Sequence, residues 1–278
     1  MWRNFTKGEK HFKMENAMSK VVVISGATSG IGRATCDQFA KNGYKVYGLA
    51  RDKGNDFSYE FEACDLTKTD ELNSAVANIL AKEEKIDVLI CNAGMGISGV
   101  LEKCELSSAK RLFDLNFFSA FALAQAFLPR MREQGYGKIV FISSVGAVFP
   151  LPYQAFYSAS KSALETMANA WRIEVKPLGV QIGCVLPGDT KTSFTQNREK
   201  ATADSDYNGR DEKSVAKMEK DEQNGMTAEF VAKKIYKFAS KKRLPVRTVV
   251  GFKYKIFASL CKILPTRFVL YILTKMYG

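Results

Sequence analysis

Tyr157 and Lys161 stand four residues apart, and Ser144 precedes the tyrosine by thirteen. On a helix, positions i and i+4 share a face, so the phenol and the ammonium can meet. A free phenol titrates near pH 10 and a free lysine near 10.4, so neither exchanges a proton readily at neutral pH unaided. A neighbouring cation favours phenolate and lowers the tyrosine pKa, which would make Tyr157 a general acid and base. Ser144 follows the apolar run Ile139 to Ser143, and a hydroxyl at the C-terminal end of a strand points into the crevice where such sheets bind ligands. There it can hydrogen-bond a substrate oxygen. Ser143 faces the other way by strand alternation and reads as structural. Asn116, within Asp114-Leu115-Asn116-Phe117-Phe118, falls mid-helix, where asparagine is a poor helix former. It reads either as a residue with a role beyond the helix or as a satisfied buried amide.

Composition removes most competing chemistries. The 278 residues include a single histidine, His11, in a polar leader without apolar periodicity. A Ser-His-Asp triad, a Cys-His pair and an imidazole-ligated zinc each need a histidine in the folded core, so no metal is expected. The six cysteines form no Cys-x-x-Cys pair and no signal peptide precedes them, which fits reduced thiols in the cytoplasm. The net charge is +12, yet twelve Lys and Arg and no acidic residue lie from Phe230 to Gly278, leaving 29 basic against 29 acidic residues upstream. The surplus therefore belongs to the C-terminus. No DNA- or RNA-binding motif accompanies it, so nucleic acid is not an expected partner.

The elements that must position these residues follow from periodicity. Val21 to Ile24, Lys45 to Leu49, Glu60 to Cys64, Val88 to Cys91, Lys138 to Ser143, Val180 to Leu186 and Thr248 to Val250 read as strands, most separated by helical-period segments. Alternating apolar strands and helices predict one α/β domain over 20–251, a doubly wound parallel sheet with helices on both faces. Residues 1–19 read as a disordered extension. Asn197 to Gln223 is dense in charge and reads as an excursion without packed structure, part of a mobile substrate loop over 193–225. Residues 252–278 read as basic amphipathic helices.

Gly26-Ala27-Thr28-Ser29-Gly30-Ile31-Gly32 follows the first strand and opens a helix. Glycines let the chain turn sharply and approach a pyrophosphate, which rests on the helix N-terminus. About twenty residues on, Ala50-Arg51 stands where an acidic residue would bind the ribose 2′-hydroxyl of NAD. A guanidinium there suits a 2′-phosphate, and the expected cofactor is NADP(H).

This loop, the run Asn92-Ala93-Gly94 after the fourth strand, and Tyr157-Ser158-Ala159-Ser160-Lys161 together resemble the short-chain dehydrogenase/reductase family, over nearly all of Lys20 to Gly251. The resemblance implies a Rossmann-type fold and a catalytic set of Asn116, Ser144, Tyr157 and Lys161. It implies adenine contacts at Asp65 and Leu66, and a nicotinamide-side loop at Pro187, Gly188, Thr190 and Thr192. It departs at Cys91, where the family has asparagine; Asn92, Ala93 and Gly94 keep the cofactor side of that motif.

The implied reaction interconverts a carbonyl and a secondary alcohol. Hydride passes between nicotinamide C4 and the carbonyl carbon, Tyr157 exchanges the proton, Ser144 polarises the carbonyl, and Lys161 binds ribose and tunes Tyr157. Asn116 holds a water that relays protons from lysine to solvent. Val148, Phe149, Pro150, Leu151, Pro152 and Tyr153 would wall the substrate pocket on one side and Phe194 on the other, favouring a steroid, retinoid or acyl-chain-like substrate. The alternative is a non-catalytic NADP-sensing or scaffold protein on the same fold, whose usual mark, loss of Tyr or Lys, is absent. The family also suggests a homodimer or homotetramer paired through the helices of Asn116 and Tyr157. Phe252 to Leu264 carries apolar residues at 252, 256, 257, 260, 263 and 264, with Phe268 to Leu273 apolar all round. These stretches are shorter than the roughly 20 residues of a membrane span, which leaves packing on the domain or peripheral contact with an anionic membrane.

Overall fold

The computed structural model of the chain describes residues 19–52, 57–202 and 205–277, so the leader, residues 1–18, lies outside the described residues. The first half runs β1 (Val21–Ser25), α1 (Gly30–Ala40), β2 (Lys45–Ala50), β3 (Glu60–Ala63), α2 (Thr69–Lys82) and β4 (Val88–Cys91). Next come β5 (Ile97–Ser98), α3 (Leu106–Phe113), a π turn (Asp114–Phe118), α4 (Ser119–Glu133), β6 (Gly137–Ile142), α5 (Ala155–Val175) and β7 (Val180–Pro187). The remainder is β8 (Thr190–Lys191), β9 (Glu199–Lys200), α6 (Arg210–Gln223), β10 (Met226–Thr227), α7 (Ala228–Ala239), β11 (Arg247–Val250), α8 (Phe252–Leu260) and α9 (Thr266–Tyr277).

Seven strands form one parallel sheet in the order β11-β7-β6-β4-β1-β2-β3. The order reverses beside β1, between β1 and β4, and the carboxyl ends of the strands there open the crevice in which such sheets bind ligands. The apolar runs are continuous because both faces are covered. Val21 and Val23 point into a cluster with Leu123, Phe127 and Leu164 of α4 and α5, whereas Val22 and Ile24 point into one with Phe39 of α1 and Ile235 of α7. Each such side chain contributes about 1.5–3 kcal/mol through burial. The doubly wound parallel α/β sheet is the expected fold, with strand ends shifted by one residue at several termini.

Two expectations are corrected. The segment over 197–223 is not without packed structure: it holds β9 and α6, and α6 buries Asp211, Ser214, Val215 and Met218. The first C-terminal helix ends at Leu260 and not at Leu264, and the stretch that is apolar all round, Phe268 to Leu273, turns Val269 and Leu273 inward against Val145 and Phe149. Leu106–Glu133 is long and apolar enough by composition to cross a membrane, but here it lies on the sheet with Asn116, Leu123 and Phe127 buried.

Candidate active site

A cavity of about 800 Å³ opens at the carboxyl ends of the central strands and gathers most of the residues singled out from the sequence. Gly26, Thr28, Ser29, Gly30, Ile31, Arg51, Asp65, Leu66, Asn92, Ala93 and Gly94 line one end. Ser144, Tyr157, Lys161, Pro187, Gly188, Thr190, Thr192 and Phe194 line the other. Gly32 and Asn116 are not on the wall; both act from behind it.

The glycine loop is built for close approach. Gly26 sits at φ +67°, a left-handed conformation that glycine adopts without strain. A Cβ on Gly32 would stand 1.9 Å from the Gly26 carbonyl oxygen, so only glycine lets α1 seat this tightly on the turn. Ser29 caps α1 in an extended conformation without a side-chain hydrogen bond, and the first turn holds no acidic residue. Its leading N–H groups are thus left for an anion at the positive end of the helix. Asn92 ties the loop to β4: its Nδ2 donates to the Ser25 carbonyl at 3.0 Å, while Ser25 Oγ accepts from the amides of Asn92 (2.9 Å) and Ala93 (3.1 Å). Cys91, in place of asparagine, is buried and directs its thiol at the Ala120 carbonyl, 3.7 Å away, leaving these cofactor-side bonds intact. Asp65 accepts from the amide and hydroxyl of Thr67 at 3.0 and 2.7 Å. Partial burial raises its pKa, but these hydrogen bonds outweigh it and hold the carboxyl below its ordinary value. This glycine cradle, the free helix N-terminus and Arg51 fit a dinucleotide.

Ser144 lies two residues past the end of β6, extended, and its Oγ accepts from the Gly146 amide at 3.1 Å. That bond leaves its proton for Tyr157 or a substrate oxygen. Tyr157 opens α5, with its ring 5.6 Å from that of Phe194 and the Lys161 ammonium 6.0 Å from its ring centre. Burial pushes the Tyr157 phenol above its ordinary value, opposed by the hydrogen bond from Ser144. The expected downward pull from Lys161 is not among the influences on the phenol, which are burial, Ser144, Glu222 and Arg198. Lys161 itself is buried, donates to the Ile142 carbonyl at 3.0 Å, and is pushed down to about 8 by desolvation. Ser143 donates to the Lys161 carbonyl at 3.1 Å, which fits the structural role read for it.

Asn116 sits in the π turn between α3 and α4. The extra residue of that turn re-aims the side chain, a recurrent device at functional sites. Its Oδ1 accepts from the Met95 amide at 2.8 Å, and its Nδ2 donates to the Met95 carbonyl at 2.9 Å and to Ser160 at 3.2 Å. It clamps the segment after Gly94 against α5.

Of the expected apolar wall, Phe149 and Leu151 line the cavity, whereas Val148, Pro150, Pro152 and Tyr153 line a separate groove of about 750 Å³. Several wall residues were not foreseen. Glu222 of α6 faces the cavity and is held by Arg198 and by the Thr195 hydroxyl, at 2.6 Å from the latter. Tyr254 of α8 donates to Asp189 and lies so close to Gly188 that a Cβ there would meet its ring at 2.1 Å. Tyr277, at the end of α9, also reaches the wall. The C-terminal helices thus close one side of the site.

Comparison with known proteins agrees with this arrangement. The model of the short chain dehydrogenase family matches residues 20–203. The chain is 37% identical to a 3-ketodihydrosphingosine reductase of Bacteroides thetaiotaomicron, over 84% of this chain and 88% of that one. It is 32% identical to the 17-beta-hydroxysteroid dehydrogenase type 1 of Homo sapiens, over 63% of this chain and 58% of the relative. A short-chain dehydrogenase structure from Streptomyces avermitilis superposes with a TM-score of 0.81 at 27% identity, covering 89% of this chain and 94% of that one. With its parallel sheet, glycine turn and matching relatives, this chain belongs to the short-chain dehydrogenases, oxidoreductases that act on carbonyl and alcohol groups.

Proposed function

We propose that the protein is an NADP(H)-dependent reductase or dehydrogenase that interconverts a ketone and a secondary alcohol on an apolar substrate. The observation that carries this reading is the convergence of Ser144, Tyr157 and Lys161 on one cavity that also contains the glycine cradle. When bound, the nicotinamide supplies or accepts hydride. The chain's own residues do the rest. Gly26 to Gly32 and the N-terminus of α1 would hold the pyrophosphate, and Arg51 would meet a 2′-phosphate. Ser144 donates to the substrate oxygen and fixes it beside Tyr157. Tyr157 gives its proton to that oxygen in reduction and takes it back in oxidation. Lys161 would bind ribose hydroxyls, and its charge would favour phenolate when the alcohol is oxidised. Asn116 holds the Met95 segment and, through it, the water path to Lys161.

Phe149, Leu151 and Phe194 on the cavity wall support a hydrophobic substrate. A steroid, retinoid or long-chain ketone fits that lining, and the names of the sphingoid and steroid relatives point the same way. Intact Tyr157 and Lys161 argue against a purely cofactor-sensing or scaffold role. Asp52, which also lines the cavity beside Arg51, favours the competing reading of an NAD(H) enzyme, and calorimetric titration with the two cofactors decides between them. The reading includes a homodimer or homotetramer paired through α4 and α5, a cytoplasmic setting, and contact of the basic C-terminus with membrane.

The test is a panel of steroid, retinoid, aliphatic and acyl ketones assayed for NADPH oxidation, with Tyr157→Phe as control. Turnover that disappears in the variant while NADPH binding persists supports the assignment. Wild-type kcat in the variant on a verified substrate overturns it.

A further inference from the structure

We infer that α8 and α9 form a two-faced plate that closes the candidate site with one face and docks on an anionic lipid bilayer with the other. The inference rests on the reading of an apolar substrate and adds the surface, the lipid chemistry and the orientation.

The inner face is settled by packing. Phe257 and Leu264 join Val269 and Leu273 against Val145 and Phe149, and Tyr254 and Tyr277 reach the wall of the cavity. The outer face is left without cover. Of the sixteen large apolar side chains that stand exposed among the described residues, eight lie from Phe252 onward, in less than a tenth of the chain. Phe252 and Ile263 are 81% and 82% exposed. Folded monomers carry exposed apolar residues singly, and a contiguous group of this kind marks an interaction surface.

Helical spacing shows how the surface is organised. Phe252, Ile256 and Leu260 recur every four residues along α8, with Lys253 and Lys255 on either flank of that line. On α9 the Phe268 and Tyr271 rings stack, the Lys275 ammonium lies 5.7 Å over the Tyr271 ring, and Arg267 shares their side. Residues 252–278 hold five basic residues and no acidic one. Aromatic and aliphatic groups bordered by Lys and Arg match the interface of a bilayer carrying anionic lipid, where the rings sit at headgroup depth and the cations pair with phosphate. A protein partner or second copy matched to this face would have to bring the acidic complement. With five basic residues and no acidic one, this face repels a second copy of itself. Docked this way, the side of the cavity built by Tyr254 and Tyr277 lies next to the lipid that would hold a water-insoluble ketone.

The experiment is co-sedimentation of the full chain with vesicles of phosphatidylcholine alone or with about a third phosphatidylglycerol. The expected result is pelleting with anionic vesicles, weakened by salt. Each basic residue near such a surface raises the binding constant about fivefold, so Lys255→Gln, Lys262→Gln and Arg267→Gln together should weaken it about a hundredfold. Phe252→Ser with Ile263→Ser should lower binding to both vesicle types. Both variants should keep the thermal midpoint, and turnover of a water-soluble ketone if one is found, because these side chains lie outside the site. Recovery in the supernatant with every vesicle composition overturns the inference. So does light scattering that shows a dimer lost in the Phe252/Ile263 variant without vesicle binding. Since sedimentation needs no turnover, failure of the catalytic reading leaves this result standing, and the reverse also holds.

Discussion

Replacing Lys161 by methionine separates what this lysine does for the fold from what it does for the reaction. Its ammonium is buried, with one hydrogen bond to the Ile142 carbonyl, and desolvation lowers its pKa from 10.5 to about 8. At 1.36 kcal/mol per pH unit, keeping the proton costs the folded state about 3 kcal/mol at pH 7. The sign follows from linkage. Between about pH 8 and pH 10.5 the unfolded chain binds the proton and the folded chain has released it, so stability rises with pH across that window. Methionine keeps the apolar stem and removes the charge, at the cost of about 1–3 kcal/mol for the Ile142 carbonyl left without a donor. That second cost does not vary with pH. The expected outcome is a gain of about 2.5 kcal/mol by wild type relative to Lys161→Met between pH 7 and pH 10, read from urea unfolding of the cofactor-free proteins. The variant should also be inactive. A stability difference that stays flat across this range would refute the claim that the ammonium is held at an energetic cost.

Three further outcomes follow. Gly32→Ala should destabilise the fold by about 1–3 kcal/mol or more and abolish NADPH binding, since the new Cβ would stand 1.9 Å from the Gly26 carbonyl oxygen; thermal unfolding and fluorescence titration check both. Arg51→Ala should weaken NADPH binding about ten- to a hundredfold while leaving NADH unchanged, and an unchanged ratio by calorimetry would remove Arg51 from the 2′-phosphate. Ser144→Ala should lower kcat about a hundredfold. Because its hydrogen bond lowers the Tyr157 pKa, the rising limb of alcohol oxidation should move to higher pH in the variant, whereas a profile displaced only in height would assign Ser144 to substrate binding alone.

The parts of the site that were legible in the sequence are those fixed by short-range geometry. Tyr157 and Lys161 share a helix, Ser144 follows a strand end, and the glycine loop connects β1 directly to α1, so spacing alone constrains where each can sit. The strands read cleanly because Val21 to Ile24 and Val88 to Cys91 are apolar on both faces, as a parallel sheet covered by helices demands. Asn116 was legible as a misfit in a helix, although the π turn that aims it leaves no sequence mark. Helix α6 was missed for a different reason. Its buried positions, 211, 214, 215 and 218, have ideal helical spacing, but two of the four are Asp211 and Ser214. A search for apolar periodicity passes over a face whose burial is half polar.

The charged pair beside Phe194 was hidden in the sequence by its separation along the chain. Arg198 and Glu222 are 24 residues apart in a stretch that composition alone marks as solvated. Only the fold brings α6 under Phe194, where the Arg198 side chain has no exposed surface and its guanidinium lies 5.8 Å from the Phe194 ring centre. A fully buried guanidinium is tolerable when a carboxylate answers it, and Glu222 does so while also facing the cavity. The pair acts on Tyr157 with opposite signs: Glu222 raises its pKa and Arg198 lowers it. Losing either partner would therefore expose the phenol to an uncompensated charge. The charge-dense stretch that seemed least able to pack places, in the fold, two opposite charges beside Tyr157.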